Sequence, residues 1–183
     1  LIVTSGLLWY FAFATKAQSG ETALYFLNVG QGDSSLIELS GGTQILIDGG
    51  PSGPALLENL AEILPPQDTY IDLLVMTHPQ LDHFGGFVDV LKNYEVGGFV
   101  GTGRKAEIAA YPELHEQLEK HKISYFEVSE GDQIFIGEAT LDILSPSPSE
   151  ITSGELNDTS VVVLLTTPDF KALYTGDIAT NVE

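Results

Sequence analysis

The apolar positions of this chain fall into short blocks cut by polar and glycine-rich turns. Leu24 to Val29 predicts a strand and Gly30 to Asp33 a turn. Ser34 to Leu39 predicts a second strand, and Gly41-Gly42 marks the turn into a third, Gln44 to Ile47, which Asp48-Gly49-Gly50 ends. Leu56, Leu57, Leu60, Ala61 and Leu64 recur at a helical period over Pro54 to Leu64, and Pro65-Pro66 stops that helix. Ile71 to Met76 is largely apolar and predicts a buried strand. Ten loop residues follow, Thr77 to Gly86, then a helix from Phe87 to about Tyr94 and a short strand, Val96 to Val100. Ala106 to Lys122 predicts a mostly polar helix with a break near Pro112. Beyond it the pattern turns to strands: Ser124 to Val128, Gln133 to Ile136, Thr140 to Leu144, Val161 to Thr166 and Lys171 to Thr175. A proline-bearing loop, Ser145 to Glu155, interrupts them. This order predicts an α+β fold of two packed sheets with helices outside.

One segment departs from the pattern. Leu1 to Thr15 carries no charge and is rich in Leu, Ile, Phe, Trp and Tyr. It is shorter than the roughly 20 residues of a membrane-spanning helix, and Ala12-Phe13-Ala14 has the small-x-small spacing of a signal cleavage site. Residues 1–22 are therefore expected to be a hydrophobic anchor or signal segment plus linker, and residues 23–183 one domain. That places the domain outside the cytoplasm, membrane-anchored or secreted. The first residue is Leu and the only methionine is Met76, so the chain is expected to be a piece of a longer protein.

Composition narrows the function. With 183 residues, 43% of them hydrophobic, the chain has enough length for one sizeable core. Seven basic against 26 acidic residues give a formal charge of −19. This argues against a broad electrostatic footprint on nucleic acid. There is no cysteine, so disulfide and thiolate chemistry are excluded.

The loop after the buried strand carries the chemistry. His78, Asp82 and His83 sit between a strand and a helix, with Gly85-Gly86 allowing a sharp turn. Neutral imidazole and carboxylate are the usual ligands of zinc, manganese and iron. Two of the chain's four histidines, clustered with an aspartate, favour a metal site over helix caps or solvent-facing side chains. His115 and His121 have no spaced partner and are expected on an exposed helix.

The pattern His-x-x-x-Asp-His after a strand resembles the metal loop of the metallo-β-lactamase superfamily, whose fuller form is His-x-His-x-Asp-His. Phe26-Leu27-Asn28-Val29-Gly30-Gln31-Gly32-Asp33-Ser34, Ile45-Leu46-Ile47-Asp48-Gly49-Gly50, Asn157-Asp158-Thr159-Ser160 and Thr175-Gly176-Asp177 resemble the other motifs of the ComEC competence-protein hydrolase domain. The resemblance runs from about Leu24 to the last residue. It implies an αββα sandwich, here C-terminally truncated, because the family continues with another strand and a distal histidine.

The resemblance also implies a site with one or two divalent ions, zinc or manganese. His78 would bind the first ion, Asp82 and His83 the second, and Asp177 would bridge them. Asp82 would also be the catalytic residue that orients the attacking water. Asp48 would brace the metal loop, and Asp33, Gln80, Asn157 and Ser160 would line or support the site. Gln80 stands where a His or Asp is expected, and a glutamine carbonyl is a weaker ligand. The implied activity is phosphodiester hydrolysis of the nuclease type, as in ComEC-type DNA uptake, with a phosphoester substrate and DNA among the candidates. β-Lactam hydrolysis fits the motifs less well. The alternative is a degenerate, non-catalytic domain kept for structure or partner binding.

Overall fold

The computed structural model describes residues 20–152 and 154–178, together with the backbone of Leu8–Tyr10. Two sheets pack face to face. The first has six strands: β2 (Ala23–Phe26), β3 (Ser35–Glu38), β4 (Gln44–Ile47), β5 (Tyr70–Val75), β6 (Glu95–Gly101) and β7 (Tyr125–Glu127), in that order across the sheet. β2, β3 and β4 are antiparallel, whereas β4 to β7 run parallel. The second sheet has the order β1 (Leu8–Tyr10), β8 (Gln133–Ile136), β9 (Ala139–Ser145), β10 (Val162–Thr166), β11 (Lys171–Tyr174).

The two faces of the first sheet are both buried, and alternation sorts its residues between them. Leu36, Leu46, Leu74 and Phe99 point to the helices, where they meet Leu56 and Leu60 of α1 (Gly53–Ile63), Phe87, Val90 and Leu91 of α3 (Phe87–Asn93), and Leu114 and Leu118 of α4 (Ala110–Lys120). Ile37, Ile45, Ile47, Leu73 and Val75 point the other way, onto Ile134, Leu141, Ile143, Val163 and Leu165 of the second sheet. Among the described residues no helix covers the outer face of the second sheet, where Leu144 and Leu173 are exposed. The chain thus forms a helix layer and two sheets of the expected sandwich.

Most predicted elements lie within a residue or two of their observed bounds. Two details differ. The polar helix starts at Ala110 rather than Ala106, so Pro112 falls in its first turn, where a missing N–H costs no bond. A four-residue helix, α2 (Leu81–Phe84), lies inside the metal loop and is too short for a periodic signal.

The anchor or signal segment expected over residues 1–22 falls largely outside the described residues. Among those described, no helix is long and apolar enough to cross a membrane.

The parallel run positions the site. β4, β5 and β6 end at one edge of the sheet, so Asp48, Thr77-His78 and Thr102 emerge side by side. The ladder continues past the strand ends through Asp48 N–H to Val75 O (2.9 Å) and Met76 N–H to Val100 O (2.9 Å).

Candidate metal centre

His78, His83 and Asp177 converge. One ligand atom from each, two imidazole nitrogens and a carboxylate oxygen, lies within 4.8 Å of the others. His78 and His83 are 0% and 1% exposed, and their ring centroids are 4.1 Å apart. The Asp177 Oδ2 lies 3.4 Å from His83 Nε2. Asp177 follows β11 of the second sheet, so the cluster bridges the two layers.

Asp48 organises this cluster from behind. It is 2% exposed and accepts three hydrogen bonds: Thr77 N–H to Oδ1 (2.8 Å), Thr77 Oγ1–H to Oδ2 (2.7 Å) and His83 Nδ1–H to Oδ2 (2.8 Å). Its backbone is left-handed, with φ of 56°, which aspartate tolerates better than most residues. Ser34 Oγ donates to its carbonyl (2.9 Å). This anchoring fixes the His83 ring so that Nε2 faces outward. Thr77 Oγ1 also lies 3.0 Å from His78 Nδ1, so one hydroxyl touches both partners.

Burial sets the protonation states. It is the main cause that lowers the His78 pKa to about 4, and the nearby charge of His83 adds to it, with Asp177 opposing. For His83 burial also works against charge. The hydrogen bond and charge of Asp48, then Asp177 and Asp82, outweigh it and raise the pKa to about 9. Burial pushes the Asp48 carboxyl above its ordinary value while its donors pull back, so Asp48 and His83 titrate as a unit.

The donor set fits a divalent cation. His78 Nε2 is fully buried and has no hydrogen-bond partner, an uncommon state for a polar atom unless something else satisfies it. Neutral imidazole and carboxylate are the ligands such an ion takes.

The other expected residues are placed differently from one another. Asp82 is half-buried and outside the convergent group; Gln31 Nε2 donates to its Oδ2 at 3.3 Å. The Gln80 amide donates to Asn157 Oδ1, which ties the metal loop to the segment before β10. Ser160 is fully buried, and its hydroxyl donates to the Asn157 carbonyl (2.7 Å). Asp33 is exposed on a cleft of about 280 Å³ whose wall includes Ser34, Asp48, Thr77, Tyr174 and Gly176. His115 packs against the rings of Tyr111 and Tyr125, and His121 is exposed, so neither joins the cluster.

Sequence reasoning gave Thr77 and Ser34 no role. A threonine directly before the first histidine, on a strand that neighbours Asp48, was the available signal.

Comparison with known proteins decides the family. The model of the metallo-β-lactamase superfamily matches residues 27–183. The chain belongs to this superfamily. Among solved structures, the chain resembles a Cronobacter sakazakii metallo-β-lactamase described by its HARLDQ motif. The two are 20% identical with a TM-score of 0.60, over 90% of this chain and 62% of that one. The Rm3 metallo-β-lactamase matches at 15% identity and a TM-score of 0.61, covering 88% and 60% of the two chains. CmlA, a diiron β-hydroxylase from Streptomyces venezuelae, matches at 20% identity and a TM-score of 0.55, over 88% of this chain and 30% of that one. The chain therefore spans about 60% of the length of the two lactamases. Superfamily members are metal-dependent hydrolases that bind divalent metals, and His78, His83 and Asp177 are placed to hold one here.

Proposed function

We propose that this superfamily domain is a metal-dependent phosphodiesterase of the nuclease type, on a protein that works outside the cytoplasm. The observation that carries the metal part is the convergence of His78, His83 and Asp177 around the unpartnered, buried His78 Nε2. The phosphodiester part rests on the ComEC-like motifs around Asp33, Asp48, Asn157 and Asp177, and the uncharged segment Leu1 to Thr15 supports the location.

A divalent cation held there would polarise a phosphoryl oxygen and make water more acidic. The chain's own residues supply the rest. Neutral His78 and the braced His83 direct Nε2 lone pairs into the site once His83 gives up its proton. Asp177 adds negative charge from the opposite sheet. Asp82, held by Gln31, would accept a proton from an attacking water.

A second reading, a non-catalytic domain, is favoured by one observation. Gln80 stands where the superfamily motif has a third histidine-like ligand, and its NH2 is committed to Asn157 Oδ1. Metal analysis and a turnover assay separate the two. At least one equivalent of zinc or manganese, with cleavage of bis-p-nitrophenyl phosphate that Asp82→Asn nearly abolishes, supports the enzyme. Wild-type turnover in Asp82→Asn removes Asp82 from the mechanism. A full-length protein that binds no metal sinks the enzyme reading.

A further inference from the structure

The cations of this acidic chain are unevenly placed. Lys92 pairs with Glu113 and Asp89 on the helix layer. Lys120 and Lys122 close α4 before β7 begins, and Lys171 opens β11, so all three lie toward the edge opposite the metal centre. Arg104 and Lys105 alone, among the described residues, follow β6 at the same edge as His78 and His83.

These two cations line a cleft of about 550 Å³, with Thr102, Ile151 and Thr152 on its walls and Glu127 as its one carboxylate. The cleft is close to the metal loop. β5 and β6 pair in parallel register, Val75 opposite Val100, and adjacent strands lie roughly 4.8 Å apart. A Cβ on Gly101 would lie 3.3 Å from Met76 Cε, so the two strand ends touch. The far wall of the cleft, around Ile151, leads to Asn157, which holds Gln80 of the metal loop.

The cleft is also built rather than incidental. Tyr125 Oη accepts from Gly103 N–H (3.1 Å), and Tyr111 Oη–H donates to the Arg104 carbonyl (2.7 Å). Thr102, 3% exposed, accepts from Arg104 N–H through its hydroxyl (3.3 Å). The Arg104 guanidinium donates from Nη1 to Ile151 O (2.8 Å) and from Nη2 to Gly154 O (3.3 Å). A guanidinium has more N–H donors than these two, so the held fork keeps donors for a ligand. Lys105 is exposed beside it.

We infer that this cleft binds a second phosphate group of the substrate, one that is not hydrolysed. The inference rests on the phosphoester reading above. A guanidinium fork with an adjacent ammonium suits phosphate oxygens. Two cations against one carboxylate leave a local positive excess at an edge that also carries the carboxylates of Asp33, Asp82 and Asp177. Such a contact would orient a polyanionic substrate and offset its repulsion by the chain.

The test uses the full chain without metal, so it does not depend on turnover. Inorganic phosphate is titrated at constant ionic strength and backbone amide resonances are followed. Saturable shifts at Thr102 to Lys105 and at Ile151-Thr152 are expected, larger than those from acetate. Lys105→Gln, on an exposed side chain, should weaken binding roughly twofold to fivefold. Arg104→Gln should weaken it by about tenfold. Arg104→Lys keeps the charge but gives up the two-pronged contact to Ile151 and Gly154, so it separates charge from fork; circular dichroism checks that each variant is folded. Absence of shifts in the cleft, equal shifts with acetate, or wild-type affinity in Lys105→Glu would overturn the inference. Phosphate binding at the cleft with no phosphodiesterase activity would keep the phosphate site but sink the hydrolase reading, and with it the assignment of that phosphate to a substrate. Metal-dependent turnover with no phosphate binding would do the reverse.

Discussion

Replacing Asp48 with asparagine changes one atom at the centre of three hydrogen bonds. Oδ1 receives the Thr77 amide, while Oδ2 receives both the Thr77 hydroxyl and His83 Nδ1. An amide accepts at only one of these positions. With its oxygen on the Thr77 amide, its NH2 faces the hydroxyl and the imidazole. The hydroxyl adjusts by turning its proton toward His78 Nδ1, 3.0 Å away. The imidazole adjusts only by accepting at Nδ1, which moves its proton to Nε2. That is the nitrogen facing Asp177 and the one whose lone pair a cation needs. The His83 pKa should then fall from about 9 toward or below its ordinary 6.5. Asparagine tolerates the left-handed φ of 56°, so the backbone adds little strain. Loss of the charge-assisted bond should cost about 1.5–3 kcal/mol of stability in the metal-free chain, measured by urea denaturation. Zinc affinity, measured by competition with a chromophoric chelator, should fall roughly 10–100-fold. Imidazole nitrogen shifts report the tautomer directly. Zinc affinity within about threefold of wild type, or a neutral His83 carrying its proton at Nδ1, would refute the reasoning.

Other perturbations follow from the same geometry. Asp177→Ala should abolish metal retention on gel filtration yet barely move the melting temperature of the metal-free chain, because Asp177 is 41% exposed and makes only a 3.4 Å contact. Thr77→Val should destabilise by about 1–3 kcal/mol in chemical denaturation, since it removes a donor from buried Asp48. Gly32→Ala should cost at least about 1–2 kcal/mol and shift the Gln31 resonances, because φ is 81° and a Cβ would lie 1.9 Å from the Asp82 carbonyl. Stability of the metal-free chain should depend on pH on both sides of 6.5. The His83 contribution, with a raised pKa, is full below 6.5 and lost as pH rises through about 9. The His78 contribution, with a lowered pKa, is full above 6.5 and lost as pH falls through about 4. A flat profile across that range would contradict both assignments.

The sheet order and helix placement were readable where side chains repeat. The largely apolar run Ile71 to Met76 announced β5, and the spacing of Leu56, Leu60 and Leu64 announced α1. Two histidines beside an aspartate pointed to a metal loop; the structure brings the two histidines together with Asp177, while Asp82 lies outside that group. What local periodicity does not encode is contact between segments far apart in the chain. The brace from Asp48 to His83 depends on neighbouring parallel strands, and its role came from resemblance alone. The contact of Asp82 with Gln31 joins residues 51 positions apart, and the pairing of Gln80 with Asn157 joins residues 77 positions apart. The Arg104 clamp on Ile151 and Gly154 had no sequence signal, because its acceptors are backbone carbonyls.

The candidate metal ligands come from both sheets: His78 and His83 follow β5, and Asp177 follows β11. An ion shared among them is therefore a removable crosslink in a chain that has no cysteine. Folding and occupancy become one equilibrium. At a free metal concentration of 100 times the dissociation constant, the linkage is worth about 2.7 kcal/mol. Metal supply would then govern how long the two sheets stay together, and so the chain's resistance to proteolysis.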